Sequence, residues 1–314
     1  MARAVVFAYH NVGVRCLKVL LAHRVDVRLV VTHRDSPSET IWFDSVERTA
    51  RDYGIETITP EDANAPEVLA RLKSASPDFL FSFYFRQMLS AEVLGTAPRG
   101  AFNMHGSLLP RYRGRVPVNW AVLRGERQTG ATLHRMTEKP DKGAIVDQQA
   151  VPILPDDTAG EVFGKVTVAA EMALDRCLPA LLAGTTVMRE QDQSQASYFG
   201  GRRAEDGRID WSAPARTIHD LVRAVAPPYP GAFTHIGGQH LRILRTLPEP
   251  VGHANSSSPD AAGPGPALLL RDGRLLARCG DGQLLRVLEA DLDGVELDAT
   301  AFGQRFGPAL ALQS

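Results

Sequence analysis

The amino-acid sequence predicts an α/β fold: a doubly wound, Rossmann-like, mostly parallel sheet followed by a small OB-like β-barrel domain. Short β-rich runs alternate with helix-length amphipathic segments through the first half of the chain, which is typical of a doubly wound sheet. After residue 203 the chain changes to short strand-like runs separated by Gly and Asp, which favours a small barrel. Because 314 residues suit two domains, we assign residues 1–203 to the first and 204–314 to the second.

The first domain is predicted element by element. Buried apolar runs predict strands at residues 4–8, 25–31, 55–58, 78–83 and 100–104, and amphipathic periodicity predicts helices at 14–23, 45–53 and 65–74. Around Gly130 the pattern changes to two strands, 131–136 and 144–153, and a long helix follows at 158–183. Ligands bind at the carboxyl ends of the strands in such sheets, so the residues just after each strand are the functional candidates.

The second domain is predicted to contain one helix and several short strands. The helix covers residues 214–226 and precedes a turn-rich Pro-Pro-Tyr-Pro-Gly stretch at 227–231. Strand-like runs follow at 232–236, 241–244, 267–270 and 284–288. Residues 252–266 are rich in Ser, Pro, Ala and Gly, a composition that predicts a flexible loop.

Composition excludes several classes of protein. A formal net charge of −1 argues against a chain that works on nucleic acid or on an anionic membrane. The three cysteines, Cys16, Cys177 and Cys279, form no Cys-x-x-Cys pair, so neither a disulfide framework nor a zinc site is expected. No apolar stretch reaches the roughly 18 residues of a membrane span, and the initial apolar run is too short for a secretory signal. We expect a cytoplasmic protein without a metal, for which a homo-oligomer is compatible with the sequence.

The polar end of one predicted strand carries the most chemical content. Residues 101–114 read AFNMHGSLLPRYRG and pass from a buried strand into a polar loop. Side chains two positions apart in a strand point to the same side, so Asn103 and His105 are expected on one face at the carboxyl end. This pair combines a neutral hydrogen-bond donor with a group that exchanges protons near neutral pH.

Transfer of an acyl group to an amine needs both functions. The amine loses a proton as it attacks and the leaving nitrogen gains one, so a histidine can serve as base and then as acid. The carboxamide of Asn103 can stabilise the oxyanion of the tetrahedral intermediate. A carboxylate beside the histidine favours the protonated ring and fixes its orientation. Asp141, in the loop of residues 137–143 between two predicted strands, is the candidate.

Each of these three residues also has a structural explanation. A histidine at a strand end, an asparagine that caps a turn and an aspartate ahead of Lys-Gly are all common without catalysis. The residue pattern alone therefore leaves a structural and a catalytic interpretation open.

A longer set of residues resembles the signature of the folate-dependent formyltransferases. The set is Asn103-x-His105-x-Ser107-Leu108-Leu109-Pro110, then Arg113-Gly114, and later Asp141-x-Gly143. Further stretches extend the likeness over nearly the whole chain: FAYH at 7–10, FSFYFR at 81–86, PVNW at 117–120, LHRM at 133–136 and PGAF at 230–233. Together they are most similar to the formyltransferase half of the bifunctional polymyxin-resistance proteins, which formylates UDP-4-amino-4-deoxy-L-arabinose on the route to modified lipid A.

The resemblance implies an N-formyltransferase fold and activity, with 10-formyltetrahydrofolate as co-substrate and a nucleotide sugar as the second substrate. It implies that Asn103 stabilises the transition state, that His105 shuttles the proton, and that Asp141 favours the protonated form of His105. It assigns folate binding to Gln87, Met88, Leu89, Arg115, Thr137, Glu138, Lys139 and Pro140. No Gly-x-Gly-x-x-Gly follows a strand, so the NAD-dependent activity of the bifunctional proteins is not expected here.

Two further groups are candidates for binding the nucleotide sugar. Arg111 and Arg113 belong to a basic run at the mouth of the expected site, where a guanidinium can bind a phosphate or carboxylate. A solvated loop explains the same run. Tyr9, His10 and Asn11 follow the first strand, where a nucleotide lies in doubly wound sheets.

Other activities use related sequences. A methionyl-tRNA formyltransferase shares both domains but grips a polyanion, whereas residues 204–314 hold ten Arg, no Lys and thirteen acidic residues. A glycinamide ribonucleotide formyltransferase lacks the second domain. A formyltetrahydrofolate hydrolase uses the same three residues and stays open as an alternative, and a non-catalytic binding module would not need all three.

Overall fold

The computed structural model describes residues 1–36, 40–250, 263 and 265–312. Its contacts divide the chain into two compact units. The first unit comprises residues 1–118, 128–152 and 163–201, and the second comprises 119–127, 153–162 and 202–314. The boundary between residues 203 and 204 stays a prediction, and the second unit also takes in two earlier segments.

Strands and helices of the first unit follow the predicted alternation. Its strands are β1 (Arg3–Ala8), β2 (Asp26–Val31), β3 (Thr57–Ile58), β4 (Phe79–Phe83), β5 (Ala101–His105), β6 (Arg113–Gly114), β7 (Gln128–Arg135), β8 (Ile145–Pro152) and β9 (Tyr198–Phe199). Its helices are α1 (His10–Ala22), α2 (Val46–Asp52), α3 (Pro66–Ala75) and α4 (Ala91–Leu94). Two further helices, α5 (Pro117–Leu123) and α6 (Ala159–Ala183), contain residues of both units.

The main sheet of the first unit is parallel in its centre and antiparallel at one edge. Among the described residues its order is β3-β2-β1-β4-β5-β7-β8. The strands from β3 to β5 run parallel, and β7 and β8 are antiparallel to their neighbours. The predicted α/β fold class is therefore confirmed. All parallel strands end at one edge of the sheet, where the residues after β1, β4 and β5 lie.

Burial explains why these segments form the central strands. Every residue of β4 is buried and all but the first of β1 are buried, as expected of parallel strands covered on both faces. On one face Phe7, Leu29 and Leu80 pack in a core with Val68 and Leu72 of α3. α1 starts four residues before the predicted helix, so His10 and Asn11 belong to its first turn.

The second unit combines a curled antiparallel sheet with two helices. Its elements are α7 (Ala215–Val225), β10 (Ala232–Ile236), β11 (Gln239–Pro248), β12 (Ala267–Arg271), β13 (Arg274–Arg278), β14 (Leu284–Leu292), β15 (Val295–Glu296), α8 (Ala299–Phe306) and β16 (Ala309–Ala311). The strand order is β10-β11-β14-β13-β12-β16, with β15 paired to β14. Trp211, Ile218, Leu241 and Phe302 are buried in its core.

Four elements of the second unit were not predicted: β13, β15, α8 and β16. The hairpin between β12 and β13 turns at Asp272 and Gly273, which have φ of 49° and 68°. An Asp-Gly pair with two positive φ angles is the signal of a tight two-residue hairpin, so β13 was readable from the sequence. The predicted loop of residues 252–266 lies almost entirely outside the described residues.

Candidate active site

Strand β5 carries the two polar residues that the sequence singled out. It lies between β4, to which it is parallel, and β7, to which it is antiparallel. Asn103 pairs with His134 of β7, and His105 pairs with Thr132. The side chain of His105 is 7% exposed. Asn103 and His105 thus lie on the same strand, two residues apart, at the carboxyl end of the sheet.

Asp141 lies on the loop that joins β7 to β8, and its conformation is fixed by local contacts. Its φ is 55°, a left-handed conformation that aspartate tolerates better than most residues. Its Oδ2 accepts a hydrogen bond from the backbone N–H of Gly114 at 2.8 Å. A Cβ at the nearby Gly143 would overlap the carbonyl oxygen of Arg135, so a glycine is needed for this loop to close against β7.

Two of the three predicted residues, His105 and Asp141, come within ion-pair distance of each other. Its Oδ1 lies 3.6 Å from Nδ1 of His105, within ion-pair range but longer than a hydrogen bond. The other ring nitrogen of His105, Nε2, donates to the carbonyl oxygen of Tyr112 at 2.8 Å. A carbonyl oxygen only accepts, so Nε2 carries a proton and Nδ1 is the nitrogen that faces the carboxylate.

A second histidine, which the sequence analysis did not assign to the site, completes the cluster. His134 is 2% exposed, and its Nε2 lies 3.7 Å from Oδ1 of Asp141 and 3.1 Å from Nδ2 of Asn103. Burial lowers the pKa of His134 from 6.5 to about 4, against the opposing attraction of Asp141 and with the help of His105. The strand carrying His134 was predicted, but its pairing with β5 was not, and only that pairing brings the ring to Asn103.

A buried pair of polar side chains braces the Asp141 loop. Gln191 donates from Nε2 to the carbonyl oxygens of Asp141 at 2.8 Å and Gly143 at 2.7 Å. Its Oε1 accepts from Nε and Nη2 of Arg113 at 3.2 and 2.6 Å. Arg113 is 3% exposed, which differs from the expected position at the mouth of the site. Its guanidinium holds the loop because β6 directs it inward.

The residue after β5 leaves room for an aromatic side chain from the end of β4. A Cβ at Gly106 would overlap the hydroxyl group of Tyr84, so the glycine allows the tyrosine to approach the strand end. Tyr84 has φ of 57° and its ring is 5.5 Å from that of Phe163. The end of β4 therefore contacts the end of β5 directly.

The predicted folate-binding residues after β4 form a braced loop. Oε1 of Gln87 accepts from the backbone N–H of Ala63 at 2.8 Å, and its Nε2 donates to the carbonyl oxygen of Glu61 at 2.8 Å. Asn64 donates from Nδ2 to the carbonyl oxygen of Met88 at 2.9 Å. The side chain of Met88 is exposed and that of Leu89 is buried. The side chain of Gln87 thus stabilises the loop, whose backbone is held at the carboxyl edge of the sheet.

The remaining predicted folate residues lie on exposed loops near the cluster. Arg115 directly follows β6 and is exposed, and its backbone N–H donates to the carbonyl oxygen of Phe199 at 3.0 Å. Thr137, Glu138 and Lys139 are exposed and Pro140 is partly buried. They lead directly to Asp141, so a ligand bound to this loop would lie beside the cluster.

The predicted sugar-binding residues after β1 lie in an aromatic surrounding. The buried ring of Tyr9 donates its hydroxyl to Oδ1 of Asp35 at 2.8 Å. His10 stacks on Phe43 with ring centroids 3.9 Å apart, and Oδ1 of Asn11 accepts from the backbone N–H of Asp44 at 2.8 Å. They lie at the same edge of the sheet as the ends of β4 and β5.

Arg111, the other basic candidate, is exposed in the loop that leads to β6. Its guanidinium carbon lies 5.6 Å from the ring of Tyr112, whose carbonyl oxygen accepts the hydrogen bond from His105. Of the two arginines proposed for the nucleotide sugar, the structure therefore presents Arg111 at the surface and Arg113 in the interior.

The cluster provides an amide that can donate, an imidazole that can carry a proton and a carboxylate that can stabilise it. These are the functions that acyl transfer to an amine requires. In the described part of the chain no group of three or more His, Cys, Asp and Glu side chains could hold a metal ion. None of the described helices is long and apolar enough to span a membrane.

Comparison with known protein families shows which family the chain matches. Residues 13–178 match the family described as formyl transferase, and residues 202–307 match the formyl transferase C-terminal domain. The chain belongs to the formyl transferase family. It is an enzyme, a folate-dependent formyltransferase, and its first matched segment contains β5, β7 and the loop that carries Asp141.

Solved structures with the same fold include several formyltransferases. An N-formyltransferase from Helicobacter canadensis, in complex with folinic acid and dTDP-3-aminofucose, is 20% identical with a TM-score of 0.70, over 91% of this chain and 99% of that one. WlaRD, a sugar 3N-formyl transferase, is 21% identical with a TM-score of 0.69, over 91% and 97%. Methionyl-tRNA formyltransferase from Clostridium thermocellum is 16% identical with a TM-score of 0.55, over 79% and 93%. At these identities the likeness shows the fold.

Proposed function

We propose that this formyltransferase moves the formyl group of 10-formyltetrahydrofolate to the 4-amine of a UDP-amino sugar, UDP-4-amino-4-deoxy-L-arabinose. The observation that carries the proposal is the cluster of Asn103, His105 and Asp141 at the carboxyl edge of the sheet, with the carboxylate 3.6 Å from the imidazole. The choice of sugar rests on the sequence likeness to the formyltransferase half of the bifunctional polymyxin-resistance proteins. That half formylates this sugar in the cytoplasm, on the route to modified lipid A and polymyxin resistance.

The residues of the cluster divide the work of the transfer. The sugar amine forms a bond to the formyl carbon, and the bond from that carbon to N10 of the folate breaks. The imidazole of His105 takes the proton that the amine releases and returns it to N10. Asn103 donates to the oxygen that carries negative charge in the tetrahedral intermediate, and Asp141 stabilises the charged ring between the two proton transfers.

The surrounding loops suit the two substrates. The exposed residues Thr137, Glu138 and Lys139 precede Asp141 in the same loop, and the exposed Arg115 follows Gly114, whose backbone N–H donates to Asp141. These residues are proposed to hold the folate together with the backbone of residues 87–89. Arg111 has an exposed guanidinium that can pair with a phosphate. We propose that the nucleotide sugar extends from the cluster toward Arg111 and the residues after β1. The proposed transfer requires neither a metal ion nor NAD.

A substrate panel tests the proposal. The purified chain is incubated with 10-formyltetrahydrofolate and UDP- and dTDP-linked amino sugars, and mass spectrometry detects a gain of one formyl group. The highest kcat/KM is expected for UDP-4-amino-4-deoxy-L-arabinose. A higher kcat/KM for a dTDP-3-amino sugar would show that the proposed sugar is wrong. Release of formate without a formylated sugar would show that the protein is a hydrolase. Formylation of methionyl-tRNA alone would overturn the proposal, a result that the acidic residues 204–314 make unexpected.

A further inference from the structure

The side-chain amide of Asn103 has a neighbour that determines which way it points. Asn103 and His134 are directly opposite each other in the antiparallel pair of β5 and β7. Nδ2 of the amide lies 3.1 Å from Nε2 of the ring. On the other side of the ring, Nδ1 lies 2.9 Å from the carbonyl oxygen of Arg135. Both hydrogen bonds are protected from water because His134 is 2% exposed.

Elementary hydrogen-bond chemistry fixes the protons in this arrangement. The carbonyl oxygen of Arg135 can only accept, so Nδ1 of His134 carries a proton and donates it. In a neutral ring the other nitrogen then holds a lone pair and accepts. The group that faces it must therefore be the NH₂ of Asn103 and not its oxygen. Burial, which lowers the pKa of His134, keeps the ring in this neutral form at pH 7.

We propose that His134 is a positioning residue: as a neutral acceptor it holds the Asn103 carboxamide with its NH₂ oriented for catalysis. One N–H of that NH₂ is used by His134, and the second is left to donate to the oxyanion. The amide oxygen is directed away from the ring. The inference rests on the proposed function in one respect only, that Asn103 is the donor to the oxyanion.

The carboxylate of Asp141 makes the neutrality of His134 important. Its Oδ1 is 3.7 Å from Nε2 of His134 and 3.6 Å from Nδ1 of His105, so both rings lie beside one negative charge. A proton on Nε2 of His134 would turn this nitrogen into a donor. The Asn103 amide would then have to rotate to present its oxygen, and the catalytic N–H would be lost. The Asn103 amide therefore keeps its catalytic N–H only while His134 is neutral.

The tautomer of His134 can be measured without any turnover. In protein labelled with ¹⁵N-histidine, long-range ¹H–¹⁵N spectra at pH 7 distinguish a protonated ring nitrogen from one with a lone pair. The His134 signals are assigned by their absence in His134→Gln. We expect a protonated Nδ1 and an unprotonated Nε2. A proton on Nε2, in either the other neutral tautomer or the imidazolium ion, would overturn the proposal whether or not a sugar substrate has been found.

A double-mutant cycle tests whether His134 acts through Asn103. His134→Phe removes the acceptor, and we expect kcat to fall about tenfold, the value of one well-placed hydrogen bond, with little change in the KM for the folate. His134→Gln, whose amide oxygen can accept in place of Nε2, should recover most of the lost kcat. In the Asn103→Ala background, His134→Phe should cause no further loss of kcat.

The outcomes separate this inference from the proposed function. Equal losses from His134→Phe in the wild-type and Asn103→Ala backgrounds would show a general structural role and overturn the inference. His235→Phe, at an exposed position of the second unit, is the control that should keep wild-type kcat. If the wild-type enzyme formylates no amino sugar, the proposed function fails, and the ¹⁵N spectra alone decide on the role of His134.

Discussion

Each unit of the molecule contains a group of ionisable side chains with little exposure to solvent, and the two groups differ in how their hydrogen-bonding capacity is used. In the second unit Arg223 is 3% exposed. Its Nε donates to Asp220 at 2.7 Å, and its terminal nitrogens donate to the carbonyl oxygens of Asp157 and Val122 at 3.1 and 3.2 Å. These contacts join α7 to the two segments, 119–127 and 153–162, that precede it in the chain.

The group in the first unit is looser at its centre. Oδ2 of Asp141 accepts from a backbone N–H at 2.8 Å, but Oδ1 lies 3.6 and 3.7 Å from His105 and His134. At these distances Oδ1 can still form a closer interaction with an imidazole that becomes charged during the reaction. An interaction that strengthens in the transition state accelerates the reaction. Loss of one partner from a buried ion pair whose hydrogen bonds are all made destabilises the fold, whereas a carboxylate oxygen without a close partner can stabilise charge that develops during a reaction. The predictions that follow test this contrast.

Removal of the imidazole should have the largest effect on rate. We expect His105→Ala to lower kcat by about 10²–10⁴, the usual contribution of a positioned acid and base, and to leave the melting temperature close to that of the wild type. Steady-state kinetics with the best sugar of the panel measures it. Near-normal turnover in this variant would exclude His105 from the mechanism and with it the contrast between the two groups.

Removal of the guanidinium in the second unit should have the opposite profile. Arg223→Met leaves the buried carboxylate of Asp220 without its main partner, so the free energy of unfolding should fall by about 3–5 kcal/mol. The kcat of the folded protein should stay at the wild-type level. Arg216→Met is the matched control, because its guanidinium contacts the same carboxylate at 3.1 Å from an exposed position. It should cost about 0–1 kcal/mol in urea denaturation, and equal losses would contradict the prediction.

Replacement of the central carboxylate should lower the rate by a smaller factor. Asp141→Asn keeps a group that can accept from Gly114 but removes the negative charge that lies 3.6 Å from Nδ1 of His105. The kcat at pH 7 should fall by roughly 10². Asp192→Asn, which changes an exposed carboxylate of the same unit, should keep the wild-type kcat. A wild-type kcat in Asp141→Asn would show that the carboxylate does not assist the imidazole.

Local patterns in the sequence were sufficient for the fold class and for the position of Asn103 and His105. Buried parallel strands are continuous apolar runs, and successive side chains of a strand point to opposite faces of the sheet. The fold class and the shared face of Asn103 and His105 can therefore both be predicted from short segments. The pairing of β5 with β7 is a property of distant segments, and His134 became visible only through it. Gln191 and the inward orientation of Arg113 were hidden for the same reason. In the second unit the Asp272-Gly273 turn was a local signal for β13 that the prediction did not use.

The smallest expected effect is on the acid dependence of the unfolding free energy, and it involves one buried histidine of each unit. Burial lowers the pKa of both His134 and His219, so the unfolded chain binds more protons than the native one as the pH falls below 6.5. Stability linked to these rings is fully present above that pH and is lost on acidification, for His134 down to about pH 4. Asp141 opposes the shift of His134, while His105 and Arg113 reinforce it.

His134→Gln and His219→Gln should therefore both reduce the loss of unfolding free energy between pH 7 and pH 4.5, by about 2 kcal/mol for His134. Urea denaturation at a series of pH values measures it, with each variant normalised to its own stability at pH 7. The rate should distinguish the two histidines when they are replaced by phenylalanine: His134→Phe should lower kcat, and His219→Phe should not. His219 bonds to Thr246 at 2.9 Å and to the carbonyl oxygen of Pro155 at 3.1 Å and has no part in the catalytic group. An acid dependence identical to that of the wild type in His134→Gln would mean that the native ring is protonated near its ordinary pH, and the neutral acceptor opposite Asn103 would not exist.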